Sequence, residues 1–158
     1  MKVISLLQPW ATLVVIGAKK IETRSWNTKY RGPILIHASA GKKEVNREIM
    51  LDFQQEFSHL NLPRYRDLPF GAIIGKVNLM HTVQSEYCFG GNEFEITDTS
   101  KTGYPVSKFI LTKQELAFGD YSPSRYGWLL SDPVQFSNPI PAKGQLNIWN
   151  YDLKMELT

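Results

Sequence analysis

A chain of 158 residues has room for one domain with a substantial core, and 42% apolar, 12% aromatic and 21% charged residues exclude disorder as its dominant state. The single cysteine, Cys88, excludes an internal disulfide and a cysteine-based metal cage, and no apolar run approaches the roughly 20 residues that cross a bilayer. The net charge of +3 is unevenly spread: residues 19–47 carry eight basic against two acidic side chains, whereas residues 48–158 are mildly acidic.

Residues 1–7 lack a signal peptide's longer apolar stretch and small-residue cleavage site, so a cytoplasmic protein is expected. Val3–Leu7 reads as a strand. Pro9 then opens a helix over residues 9–16, since proline's missing N–H has no helical role at the first position, and Gly17 is its natural stop. Strand alternation over Ile21–Trp26 puts Glu22, Arg24 and Trp26 on one face and Ile21, Thr23 and Ser25 on the other. Tyr30–Pro33 reads as a turn and Ile34–Ala38 as a buried strand. Val45, Ile49, Phe53 and Phe57 recur every four residues, which predicts an amphipathic helix over 43–59. Gly71–Leu79 reads as a long strand bent at Gly75. Residues 86–108 lack periodicity and read as a long loop or lid. A short helix over Thr112–Phe118 and strands at Tyr126–Leu130, Val134–Phe136 and Leu146–Tyr151 follow, with Pro139 and Pro141 in a connector.

Several site chemistries fall away. Gly71-x-x-x-Gly75-Lys76 is one residue short of a phosphate loop, lacks the following Ser/Thr and sits in a strand pattern. His37, His59 and His81 are widely separated, with no helical pair for a metal. There is no nucleophile elbow or dinucleotide fingerprint, so neither metal nor cofactor is expected.

Chemistry concentrates between residues 17 and 43. Gly17 permits a sharp turn that would present Lys19 at the mouth of a pocket. Glu22 and Arg24, two apart on a strand, point to the same side and could be joined by Lys19. That trio offers a carboxylate, an ammonium and a guanidinium around one cavity, as catalytic or as ligand-gripping groups. A structural ion-pair network is the competing explanation. Lys20, Arg31, Lys42 and Lys43 add positive charge, and Trp26 and Tyr30 add aromatic faces. Cations beside aromatic faces suit single-stranded nucleic acid.

Ser5–Ala11, Gly17–Trp26, Tyr30–Pro33 and Ile36–Ser39 together resemble the ASCH domain, a relative of the PUA-like superfamily of RNA-binding β-barrels. Phe118-Gly119-Asp120-Tyr121, Tyr126–Leu130 and Gly144-x-Leu146-x-x-Trp149 extend the resemblance almost from end to end. It implies a mixed α/β fold, a small PUA-like β-barrel with flanking α-helices, forming a single domain over residues 1–158. It also implies a cleft between the first helix and the barrel. Some small members hydrolyse the acyl amide of N4-acetylcytidine and others are associated with RNA cleavage. In the amidohydrolase branch a lysine matching Lys19 is followed by a catalytic threonine, and here Glu22 takes that place, which removes the hydroxyl nucleophile.

The expected function is therefore RNA or nucleotide binding in a cationic cleft, in RNA metabolism. Its residues would be Lys19, Lys20, Arg24, Trp26, Tyr30, Arg31, Lys42 and Lys43. The alternative is hydrolysis of RNA or of a modified nucleoside by Lys19, Glu22 and Arg24. A protein-interaction module is a third reading. The expected partner is RNA, a nucleotide or a modified nucleoside, with no membrane.

Overall fold

The computed structural model describes residues 1–84, 93–97 and 105–153, with only the backbone described for 93–97 and 105–110. In chain order the elements are β1 (Lys2–Leu6), α1 (Trp10–Val15), β2 (Ile21–Arg24), β3 (Gly32–Ala38) and α2 (Glu44–Glu56). β4 (Ala72–Gln84), β5 (Glu93–Thr97), β6 (Pro105–Ile110), α3 (Lys113–Phe118), β7 (Tyr126–Pro141) and β8 (Ile148–Asn150) follow, with single 3-10 turns at Ser58–Leu60 and Tyr65–Asp67.

The apolar run Ile34–Ile36 makes β3 the spine of the sheet, because it is covered on both faces. Ile34 and Ile36 pack with Ile4, Leu6 and Trp128, and Leu35 packs on the other side with Val3, Ile73 and Trp149. β1 runs parallel to β3, and the remaining ladders of this sheet are antiparallel. The strand order is β2-β7-β4-β3-β1-β8. This is a mixed α/β fold with flanking helices, but the sheet is open: the expected β-barrel is corrected. Among the described residues β2 pairs only with β7 and β8 only with β1, so no ladder joins the two ends. Closure needs a pairing between the outermost strands, and β2 and β8 are four and three residues long.

Other expectations shift for local reasons. β7 is one strand, where two strands and a connector were predicted. Beyond Leu130, β4 is its one partner among the described residues, so Pro133, Pro139 and Pro141 occupy a stretch with one free edge, where proline is tolerated. Residues 86–108, expected as a loop, include β5 and part of β6, which pair antiparallel; the rest of that span lies outside the described residues. On α2 the buried face is Asn46, Met50, Phe53 and then Phe57, and Val45 is exposed. A strict interval of four drifts around a helix of 3.6 residues per turn, whereas spacings of four, three and four stay on one face.

α1 positions the site. It begins at Trp10, with Pro9 at its N-cap following a cis peptide bond, and Gln8 Oε1 accepts the Thr12 N–H at 3.1 Å. Ala11 through Val15 are all buried, because the helix is sandwiched. Ala11, Val14 and Val15 face the sheet, while Leu13 faces Met50, Phe53, Phe57 and Phe118. Gly17 ends it at φ 78°, left-handed backbone that glycine adopts without strain.

Candidate functional site

The turn after Gly17 buries Lys19 to 1% exposure, beneath the cleft rather than at its mouth. It borders a separate hollow that Val14, Val77, Leu130 and Pro133 also line. Its Nζ donates to the carbonyl oxygens of Ile21 (2.6 Å) and Phe118 (2.8 Å) and stands 3.7 Å from Glu22 Oε2. Burial pulls the Lys19 ammonium below its ordinary pKa, against the opposing pull of the Glu22 and Glu115 carboxylates.

Strand alternation brings Glu22 and Arg24 to one side of β2, as their spacing predicts. Glu22 Oε1 lies 3.6 Å from Arg24 Nη1, and the Arg24 guanidinium sits 5.5 Å over the Trp26 ring. Trp26 in turn meets buried Trp128 edge-on at 4.8 Å. Trp128 is the cross-strand partner of Glu22. The carboxylate therefore stands between two cations, each just beyond hydrogen-bond length.

Of these side chains Glu22 and Arg24 line a cleft of about 390 Å³, while Lys19, Trp26 and Trp128 lie behind its lining. Leu6, Leu7 and Trp10 supply apolar lining, and Phe118, Gly119 and Asp120 line it as well. Arg125 completes the rim, 3.3 Å from Asp120 Oδ2, with its Nη2 donating to the Thr23 carbonyl at 3.3 Å. Thr23 Oγ1 accepts the Asp120 N–H, so the segment after α3 is tied to β2. The charged groups of the lining are Arg24 and Arg125 against Glu22 and Asp120, a balance rather than the expected cationic cleft.

α3 is fastened to the same turn. Thr112 caps its N-terminus, and Glu115 Oε1 accepts the Lys20 N–H at 2.6 Å. Gln114 Nε2 donates to the Ala18 carbonyl at 2.7 Å. Burial pushes the Glu115 carboxyl above the usual carboxylate range. Burial, with the Glu115 and Glu22 carboxylates nearby, also pushes the Tyr121 hydroxyl up, so it stays protonated at neutral pH.

Of the predicted residues, the structure gathers Lys19, Glu22, Arg24 and Trp26. Lys20 is exposed and borders a different hollow, with His59 and Gln135. Arg31 donates to Thr82 Oγ1 and to the Thr28 and Tyr30 carbonyls, and Tyr30 packs against the main core cluster. Lys42 lies over the Phe70 ring at 4.9 Å and Lys43 is the N-cap of α2; neither lines the cleft. Sequence reasoning missed Arg125 and Glu115 as part of this neighbourhood. Phe118–Tyr121 marks the segment by resemblance, but nothing local marks Arg125.

The profile of the ASCH domain family matches residues 4–127. Among curated proteins, the mouse and human forms of activating signal cointegrator 1 are 28% and 29% identical over 96% of this chain. The chain spans about 22% of the length of these relatives. Among solved structures, ASCH from Zymomonas mobilis is 17% identical, covers 88% of this chain and 71% of its own, and superposes with a TM-score of 0.43. The family profile covers well over half of the residues, and the protein belongs to the ASCH domain family.

Proposed function

We propose that residues 1–158 form one RNA- or nucleotide-binding ASCH domain acting in RNA metabolism, with its ligand in the cleft beside β2. One observation carries this reading. Glu22 and Arg24 line the cleft, and the ion-pair partners of Glu22, Lys19 and Arg24, stand 3.7 and 3.6 Å away rather than at close hydrogen-bond length. Their side chains are 11% and 24% exposed. Partly buried charged groups held this loosely keep hydrogen-bonding capacity that a polar ligand can satisfy. The cleft volume falls in the usual range for small-ligand sites, and Trp10 and the Arg24 guanidinium, itself over the Trp26 ring, supply flat surfaces for a base.

In this reading Arg24 and Glu22 meet the ligand, Trp26 backs Arg24, and Lys19 holds Glu22 from below. Lys20, Tyr30, Arg31, Lys42 and Lys43 contribute an outer basic surface along which an RNA backbone runs. The hydrolase reading draws on a different observation, a dry lysine of lowered basicity next to a carboxylate. Its ammonium is spent on two carbonyls, so in that case Glu22 is the group within reach of a substrate.

Fluorescence anisotropy with a labelled single-stranded RNA separates these contributions. Arg24→Ala should weaken binding about tenfold or more, the worth of hydrogen bonds from a charged donor. The double change Lys42→Ala and Lys43→Ala should lower affinity modestly and flatten its salt dependence, because two phosphate contacts are lost. RNA recovered from the same samples should be intact. An Arg24→Ala protein that binds like the unmodified chain would overturn the cleft assignment, and cleaved RNA would favour the hydrolase.

A further inference from the structure

A carboxylate and a guanidinium side by side impose a pattern on whatever fills the cleft. Glu22 can only accept hydrogen bonds and Arg24 can only donate them. A ligand must therefore present donors to Glu22 and, next to them, an acceptor to Arg24. The balanced lining disfavours a phosphate as the buried part, since Glu22 and Asp120 would face it. The apolar lining of Leu6, Leu7 and Trp10 suits a flat, uncharged body.

The four bases meet this pattern unequally. Uracil has a single N–H flanked by two carbonyls, which would point at the carboxylate oxygens. Cytosine and adenine each offer one amino group beside a ring acceptor, which serves one carboxylate oxygen. Guanine offers N1–H and the 2-amino group side by side, one for each oxygen of Glu22, followed by O6 for Arg24. We infer that the cleft takes the Watson–Crick edge of an unpaired guanine, with N1–H and N2–H donating to Glu22 and O6 accepting from Arg24. This rests on the nucleotide-binding reading above and sharpens it to one base.

The 2-amino group is the discriminating atom, and inosine lacks only that. Labelled uridine pentanucleotides carrying a central guanosine, inosine, cytidine or adenosine, together with the all-uridine pentamer, supply the comparison. Guanosine should bind tightest and the all-uridine strand weakest. Inosine should lose about tenfold or more, as when one hydrogen bond to a charged acceptor is removed. Glu22→Gln replaces one acceptor oxygen by a donor, so the guanosine preference should collapse and uridine should gain relative to it. The inosine comparison needs no variant and stands even if Glu22→Gln folds poorly. Competition by guanosine monophosphate identifies the source of the base. Equal potency with the pentamer means a free nucleotide, weaker potency means an RNA strand, and either agrees with the inference. Equal affinity for guanosine and inosine, or a flat series, overturns base selection while leaving nucleotide binding intact. If neither nucleotide nor oligonucleotide binds, both readings fall.

Discussion

Replacing Lys19 by Met should destabilise the domain by about 3–5 kcal/mol, the loss typical when one partner of a buried ionic cluster is removed. Methionine keeps an apolar stem, so the buried position stays largely filled. What disappears is the ammonium that serves the Ile21 and Phe118 carbonyls and balances Glu22. For a chain of this length the loss corresponds to a fall in Tm on the order of 10 °C. The pH dependence has a definite sign. Burial lowers the Lys19 pKa below 10.5, so between the lowered value and 10.5 the unfolded chain binds the proton and the folded chain does not. The Lys19 contribution to stability therefore increases with pH through that window, and the variant should lack this component. Denaturant melts of both proteins at neutral and alkaline pH measure it. A variant as stable as the unmodified chain would show that the cluster carries little energy.

Gly75→Ala should be nearly as damaging, for a steric reason. A Cβ at this bulge in β4 would lie 2.4 Å from the Val134 carbonyl oxygen and 2.7 Å from Val15 Cγ1. The first obstacle is backbone of the neighbouring strand and the second belongs to α1, so neither yields without moving an element. Overpacking of a core commonly costs about 1–3 kcal/mol, and a backbone clash belongs at or beyond the upper end. A fall in Tm of roughly 6–12 °C follows from that figure. Because α1 would be pushed from the sheet, the Trp10 lining of the cleft should shift too, which Trp fluorescence reports. Unchanged melting would mean that the close approach of α1 at Gly75 contributes little.

How much of this was legible depends on whether the determinant is local. The Ile34–Ile36 run identifies a buried strand because both faces are apolar. Thr112 before α3 and Gly17 after α1 are readable because caps and left-handed turns act within a few residues. The pairing of Glu22 with Arg24 follows from the two-residue period of a strand. Barrel closure was not legible, since it depends on which strands meet at the two ends of the sheet. Nor was the depth of Lys19, which is set by Phe118, 99 residues away. Lys42 and Lys43 belong to the same basic segment of sequence, but neither lines the cleft. Arg125 reaches the cleft only through its contacts with Thr23 and Asp120.

The central claim is that ligand enters beside β2. NMR titration with a short single-stranded RNA, following the indole N–H signals of the tryptophans and the side-chain signals of the arginines, tests it most directly. The account predicts that the Trp10, Trp26, Arg24 and Arg125 signals shift together and saturate at one concentration. Shifts confined to the N-terminus of α2 or to the hollow around Lys20, with the cleft signals unmoved, would contradict it.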